Sequence, residues 1–401
     1  YIAEHNRDMI ALGIKEPQET PRATEHINGM ISLAEKLIAK GMAYAVDGDV
    51  YFAVDKFYNY GKLSGRNTEE LLAGARVDIG EKKKNPLDFA LWKASKENEP
   101  WWESPWGKGR PGWHIECSVM SQCFLGSTFD IHGGGADLIF PHHENEIAQS
   151  EGANEKTLAN YWLHNGFVRI SGEKMSKSLN NFLTIREMLE LYHHEVLRFF
   201  MLQFHYRSPV DFSHDALAEA RSALNRCYRL LEVLQNFVES SVSANDIITE
   251  KNDIENNTLF EKISMLPTNF TNAMDDDFNT AKAFGIIFDV VREVNNAIAD
   301  KKFIKSTQAK LILQLAQKNI VAVGNVLGLF TCAPDEYFIQ DKQRETQKLG
   351  LDLDMIETQI ATRSKAREEK NWQLSDEIRN NLATLKVQLK DGSAGTTWCI
   401  E

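Results

Sequence analysis

The chain has 401 residues, a formal net charge of -12 and 43% hydrophobic residues. At about 100–200 residues per domain, that length allows two to four domains, with enough apolar residues for real cores. No run approaches the ~20 apolar residues of a membrane span, no basic-then-apolar signal opens the chain, and the five cysteines are sparse and odd in number; a membrane protein and a secreted disulfide scaffold are excluded, and a soluble cytoplasmic protein is expected.

The chain opens on Tyr1 in what reads as mid-helix, with Ile2, Met9, Ile10 and Leu12 on a periodic apolar face. Residues 24–41 carry a second helical pattern that Gly41 stops. Residues 43–54 read as a β-hairpin turning on Asp47-Gly48. The run Lys82-Lys83-Lys84 reads as a solvated loop. Trp92, Trp101, Trp102 and Trp106 are expected to pack their segment against the neighbouring domain, and a further helical run is expected from Glu116 to Cys123.

Residues 128–132 read as a short buried strand. Gly133-Gly134-Gly135 then lets backbone come close to a ligand, as at the strand ends where open α/β sheets bind nucleotides. A helix is expected after Pro141, and a last strand over residues 162–168. Helices are expected at 184–198 and 215–239. A polar, mobile loop follows at 240–257, then helices at 259–270, 280–299 and 306–327. The acids Asp275-Asp276-Asp277 lack the mid-loop Gly and terminal Glu of a calcium loop, so helix capping explains them better. Two amphipathic helices, 356–370 and 372–385, precede a Gly-rich tail.

Two constellations carry chemistry. Cys117, His142 and Glu146 are all good zinc ligands; His142 and Glu146, four apart on a helix, share one face. His143 is a rival that points off that face. On the residues alone, a buried small cysteine and a His-His-Glu helix cap remain the alternative. The second constellation is Lys174-Met175-Ser176-Lys177-Ser178, which follows the strand-like 166–170. Two lysines three apart in a Ser- and Gly-flanked loop can neutralise the charge that develops as a bond to pyrophosphate breaks.

Trp113-His114-Ile115-Glu116-Cys117, His132-Gly133-Gly134-Gly135, His142-His143-Glu144-Asn145-Glu146 and the lysine string stand in the order and spacing of cysteinyl-tRNA synthetases. The resemblance covers essentially the whole chain. It implies an α/β class I synthetase with a Rossmann-like catalytic domain, a connective insertion, a helical bundle and a small C-terminal anticodon-binding domain. The boundaries it implies are 1–17 for a remnant of the first catalytic half, 18–108 for the insertion, 109–165 for the second half, 166–214 for the lysine-loop region, 215–331 for the bundle and 332–401 for the anticodon domain. That family's His-Ile-Gly-His signature and second zinc cysteine have no counterpart among these 401 residues.

The implied reaction joins L-cysteine to its tRNA through a cysteinyl-adenylate made from ATP, with magnesium accompanying ATP and one zinc binding the substrate thiolate. Lys174 and Lys177 would act on pyrophosphate. Gly133, Gly134, Gly135, Asp137, Val168 and Lys177 would hold ATP. Trp113 and His132 would meet cysteine, and Cys117, His142 and Glu146 would hold the metal. Arg367, Asp376, Arg379, Asp391 and Trp398 would read the anticodon, with surface ion pairing of Asp376 and Arg379 as the plainer alternative. Net acidity alone argues against an RNA partner, so the resemblance implies basic residues focused in patches. No membrane contact and a monomer are expected. The rivals are the cysteine ligase of mycothiol synthesis, which lacks an anticodon domain, and a non-catalytic tRNA-binding fragment.

Overall fold

The computed structural model describes residues 1–66, 82–170, 173–174, 183–240, 257–392 and 395–400. The chain forms two compact units. One comprises Pro17–Phe167 with Arg207–Pro209; the other comprises Tyr1–Glu16, Val168–Tyr206 and Val210–Glu401.

In the first unit, helix α2 (Ile27–Ala39, after α1 at Ile2–Ala11 in the other unit) buries Ile27, Met30, Leu33, Ala34 and Leu37, one face of a 3.6-residue period. Strands β1 (Ala43–Val46) and β2 (Asp49–Phe52) form the expected hairpin. Its turn residues Asp47 and Gly48 have φ of 47° and 87°, the paired positive values that a two-residue primed turn requires. Strands β3 (Phe89–Ala94) and β4 (Gly109–Pro111) extend it to a four-stranded antiparallel sheet in the order β1-β2-β3-β4. Helix α3 (Trp113–Leu125) and helix α4 (Glu144–Asn154) pack on the same core, which joins Leu37, Phe52 and Trp92 to Ile115, Ala148 and Ala153. Trp92 lies inside, but Trp101 is half-exposed with Lys108 over its ring.

Strand β5 (Phe129–Gly135) pairs in parallel with β6 (Ala159–Asn165), and α4 lies between them in sequence. The short buried strand expected at 128–132 is thus a longer one running through the glycines, and only Phe129 of it is buried. Phe129 joins a small core with Ile147, Leu158 and Ala159, while Ile131 points to the open side.

The second unit is mainly helical. Val168 opens β7 (Val168–Ile170), which pairs with β8 (Glu173–Lys174) and, in parallel, with β9 (Val210–Phe212). The helix expected at 184–198 is two, α5 (Ile185–Leu191) and α6 (His194–Leu202), each with its own N-cap: Thr184 in a capping box with Glu187, and His193. Helices α7 (His214–Ser240), α8 (Thr258–Asp275), α9 (Thr280–Ala299), α10 (Ala309–Val326) and α11 (Pro334–Lys348) complete a bundle. Asn279, not the acids before it, caps α9 by accepting from the Lys282 amide at 3.0 Å. The bundle core continues past residue 332: Tyr337 is fully buried and stacks on Tyr228 with ring centroids 3.8 Å apart.

Helices α12 (Leu353–Glu368) and α13 (Trp372–Thr384) pack with the hairpin β10 (Val387–Gly392) and β11 (Gly395–Ile400) around Ile356, Ile360, Ile378, Leu382 and Trp398. Among the described residues no helix is long and apolar enough to cross a membrane. The loop expected at 240–257 lies almost wholly outside the described residues.

Candidate metal centre and substrate site

The first unit gathers sulfur, imidazole and carboxylate donors at one place. Cys117 sits on the first turns of α3. His142 lies on a π-helical turn, Ile139–His143, that leads into α4, and Glu146 sits in the first turn of α4. Ligand atoms of Cys117, His142 and Glu146 all lie within 4.8 Å of one another. The two helices are held together beneath them by the buried Ser118 hydroxyl, which donates to Gln149 Oε1 at 2.6 Å.

Helix α4 is polar in sequence yet almost entirely buried. Its first residues are satisfied by specific partners: the Gly61 and Ser64 amides donate to Glu144 at 2.9 Å each, and the Tyr60 hydroxyl donates to Asn145 at 2.6 Å. Glu146 differs. His142 Nε2 lies 2.7 Å from its Oε1 and His132 Nε2 3.1 Å from its Oε2, but neither contact is a well-directed hydrogen bond, and both oxygens are out of contact with water. Burial works to raise the Glu146 pKa; the facing His132 and His142 imidazoles outweigh it and hold the pKa down to about 2. An ionised, buried carboxylate lacking aligned donors, beside a thiol and imidazoles, is a donor set suited to a cation such as zinc. Burial, aided by the carboxylates of Glu146 and Glu116, pushes the Cys117 thiol up to about 12. A metal would reverse that, since a coordinating thiol is deprotonated outright.

A second group overlaps the first. His132, His143 and Glu146 also bring their ligand atoms within 4.8 Å. The reading of His143 as pointing off the Glu146 face is corrected here. The two are three apart, and i,i+3 residues are neighbours on a helix. His143 Nδ1 lies 2.8 Å from His164 Nε2 on β6. Burial lowers the His143 pKa to about 4, so the ring is neutral. Gly134 is needed for this contact: a Cβ there would lie 2.8 Å from His143 Cε1. At Gly134 the close approach is therefore to a side chain of the site itself. Gly135 leaves room for the Asp137 carboxyl, which a Cβ would meet at 2.5 Å.

Trp113 is 58% exposed, its ring 4.3 Å from that of His142, so its outer face is open beside the donor cluster. His114, absent from the residues singled out by sequence, contacts His142 directly. Its signal was the i,i+3 spacing to Cys117.

Gly133 lies on β5 in the first unit, and the remaining described residues that the sequence singled out lie in the second. Lys174 pairs through its backbone with Arg169, and Lys177 lies outside the described residues. In the C-terminal module, Asp391 receives two hydrogen bonds from Arg363, at 2.8 and 2.9 Å, and one oxygen is 2.9 Å from Arg367. Hydrogen bonding by Arg363 holds the Asp391 carboxyl well below the usual carboxylate range. Trp398 is 4% exposed and donates through its indole N–H to Glu357 at 2.8 Å. Asp376 and Arg379 are exposed on α13, and Arg367 is part-exposed.

The fold is similar to that of a Mycobacterium tuberculosis methionyl-tRNA synthetase solved with methionyl-adenylate, with a TM-score of 0.57 at 17% identity over 80% of this chain and 76% of that one. The family model described as the tRNA synthetases class I (C) catalytic domain matches residues 1–222, and the DALR domain model matches residues 269–331. The fold is that of a class I tRNA synthetase. A cysteine–tRNA ligase of Geobacter sulfurreducens is 53% identical over 401 residues, all of this chain and 81% of that protein. One of Thermodesulfovibrio yellowstonii is 47% identical over 405 residues with the same coverage. The chain belongs to the cysteine–tRNA ligase family.

Proposed function

We propose that the chain carries out the ATP-dependent attachment of L-cysteine to its tRNA in the cytoplasm, as a monomer, with a zinc site that selects the amino acid. The observation that carries this reading is the convergence of Cys117, His142 and Glu146 in a family of cysteine–tRNA ligases. Those three residues hold the metal. Bound there, zinc supplies a soft centre that takes a thiolate in preference to serine's neutral hydroxyl, a distinction that pocket shape makes poorly.

The chain's own residues do the rest. Trp113 closes over the bound amino acid, and His132 orients it from β5. Gly133, Gly134, Gly135, Asp137 and Val168 seat the nucleotide, whose magnesium travels with the phosphates. The cysteine carboxylate attacks the α-phosphate, and Lys174 and Lys177 stabilise the departing pyrophosphate. The cysteinyl group then passes from the adenylate to a ribose hydroxyl of the tRNA's terminal adenosine, releasing AMP. The C-terminal module α12 to β11 supports a tRNA acceptor over an aminosugar. Its exposed Asp376, Arg379 and Arg367 read the anticodon, with Asp391 fixing Arg367 and Trp398 packing the platform beneath.

Metal analysis tests the site. Cys117→Ala should lose zinc while far-UV circular dichroism stays unchanged; zinc content equal to that of the parent protein would sink the assignment. The lysine loop is tested kinetically, in a chain that also carries the His-Ile-Gly-His signature. Its charge acts mainly in the transition state, so Lys177→Ala should lower kcat for pyrophosphate exchange by about 10²-fold or more with little change in KM for cysteine. Exchange at the parent rate would refute the role.

A further inference from the structure

His114 Nδ1 lies 2.8 Å from His142 Nδ1, while the other nitrogen of His142, Nε2, faces Glu146 Oε1 at 2.7 Å. Of the two Nδ1 atoms one donates and the other accepts, so the rings are tied to each other. If His142 Nε2 gives its lone pair to a metal, the His142 proton has to sit on Nδ1, and His114 has to accept it.

We propose that His114 is a positioning residue for His142, holding its ring through the hydrogen bond between their Nδ1 atoms so that the other nitrogen of His142 is presented to the metal. The role rests on the reading of Cys117, His142 and Glu146 as metal ligands. Neutral imidazole suits the task because each nitrogen can donate or accept; lysine or arginine only donates. Packing fixes the geometry. The His114 ring meets Phe89 edge-on at 5.8 Å, lies 4.9 Å from the His142 ring, and sits beside Trp113 at 5.2 Å. Ligating histidines generally have their second nitrogen tied in this way, and removing the tie typically costs ~10–100-fold in metal affinity.

The test is zinc affinity of the purified chain by chelator competition, together with ¹⁵N NMR of His142. His114→Phe keeps a ring against Phe89 and Trp113 but has no Nδ1, and it should bind zinc about 10–100-fold more weakly. In the parent chain with zinc, the His142 proton should be found on Nδ1, the nitrogen facing His114. Parent affinity in His114→Phe, or a zinc-bound His142 with its proton on Nε2, overturns the proposal. Cys117→Ala separates the two claims. If it abolishes zinc binding while His114→Phe does not, only the positioning role falls. If Cys117→Ala binds zinc normally, the metal reading falls and this role with it.

Discussion

Replacing Glu195 with alanine should destabilise the helical bundle by about 3 kcal/mol or more, since each buried hydrogen-bonding group left unsatisfied costs ~1–3 kcal/mol. Glu195 is fully buried in the first turn of α6. Its Oε1 accepts from the Thr331 amide at 2.8 Å and the Thr331 hydroxyl at 2.5 Å; its Oε2 accepts from the Phe330 amide at 2.9 Å and the Tyr228 hydroxyl at 2.8 Å. Alanine would strand both amides and the Thr331 hydroxyl, and would leave the Tyr228 hydroxyl only Cys332 Sγ at 3.5 Å. The two amides belong to the segment after α10 and have no freedom to turn to water. One turn on, Arg198 donates to the Leu327 carbonyl at 3.2 and 3.1 Å, against Gly328, whose φ of 68° and missing Cβ make room for the guanidinium. Glutamine at 195 would set an NH₂ against two of the donors, so it should recover only part of the loss. Urea unfolding followed by a bundle-specific probe checks this. Glu239→Ala, on the exposed end of α7, should change stability by no more than ~0.5 kcal/mol. A Glu195→Ala loss below ~1 kcal/mol would show that the carboxylate is not the tie it is taken to be.

Removing residues 351–401 from a chain that carries the His-Ile-Gly-His signature should leave pyrophosphate exchange intact and lower tRNA charging by about 10²-fold or more. Base-specific contacts are worth ~1–3 kcal/mol each by analogy with direct readout in DNA, so losing the three of Arg367, Asp376 and Arg379 costs about 3 kcal/mol or more, which at about 1.4 kcal/mol per tenfold is about 10²-fold or more. The structure sets where to cut. A deletion from Cys332 would remove Tyr337 from the bundle core, together with the ion pair of Asp341 to Arg221 at 2.7 Å. Such a variant would fail for reasons unrelated to tRNA. Gly350, at φ 64°, ends α11 in a turn, and the core of α12 to β11 is built from its own residues. Charging at the parent rate by the shortened enzyme would refute the anticodon role. Lost pyrophosphate exchange would show that the module is needed for the chemistry as well.

Read alone, the sequence determined the family, because ligand types and their order along the chain are properties of sequence. Cys117, His142 and Glu146 were legible for that reason, as were α2 and the Asp47-Gly48 hairpin, whose signals are local: a 3.6-residue apolar period and a two-residue turn that needs positive φ. Tertiary structure decided what depends on partners far away in the chain. The polar string of α4 is buried because Tyr60, Gly61 and Ser64 supply donors from about eighty residues upstream. His114 came into view only when three-dimensional packing set its Nδ1 2.8 Å from that of His142, and the same packing brought His143, expected to point off the Glu146 face, to 2.8 Å from His164. Trp398 was expected among the residues that meet anticodon bases; Glu357, forty-one residues before it, takes its N–H and places it inside. A hydrogen bond between distant residues leaves no periodicity in the sequence, and the burial of a polar group is tolerated only where such a bond is made.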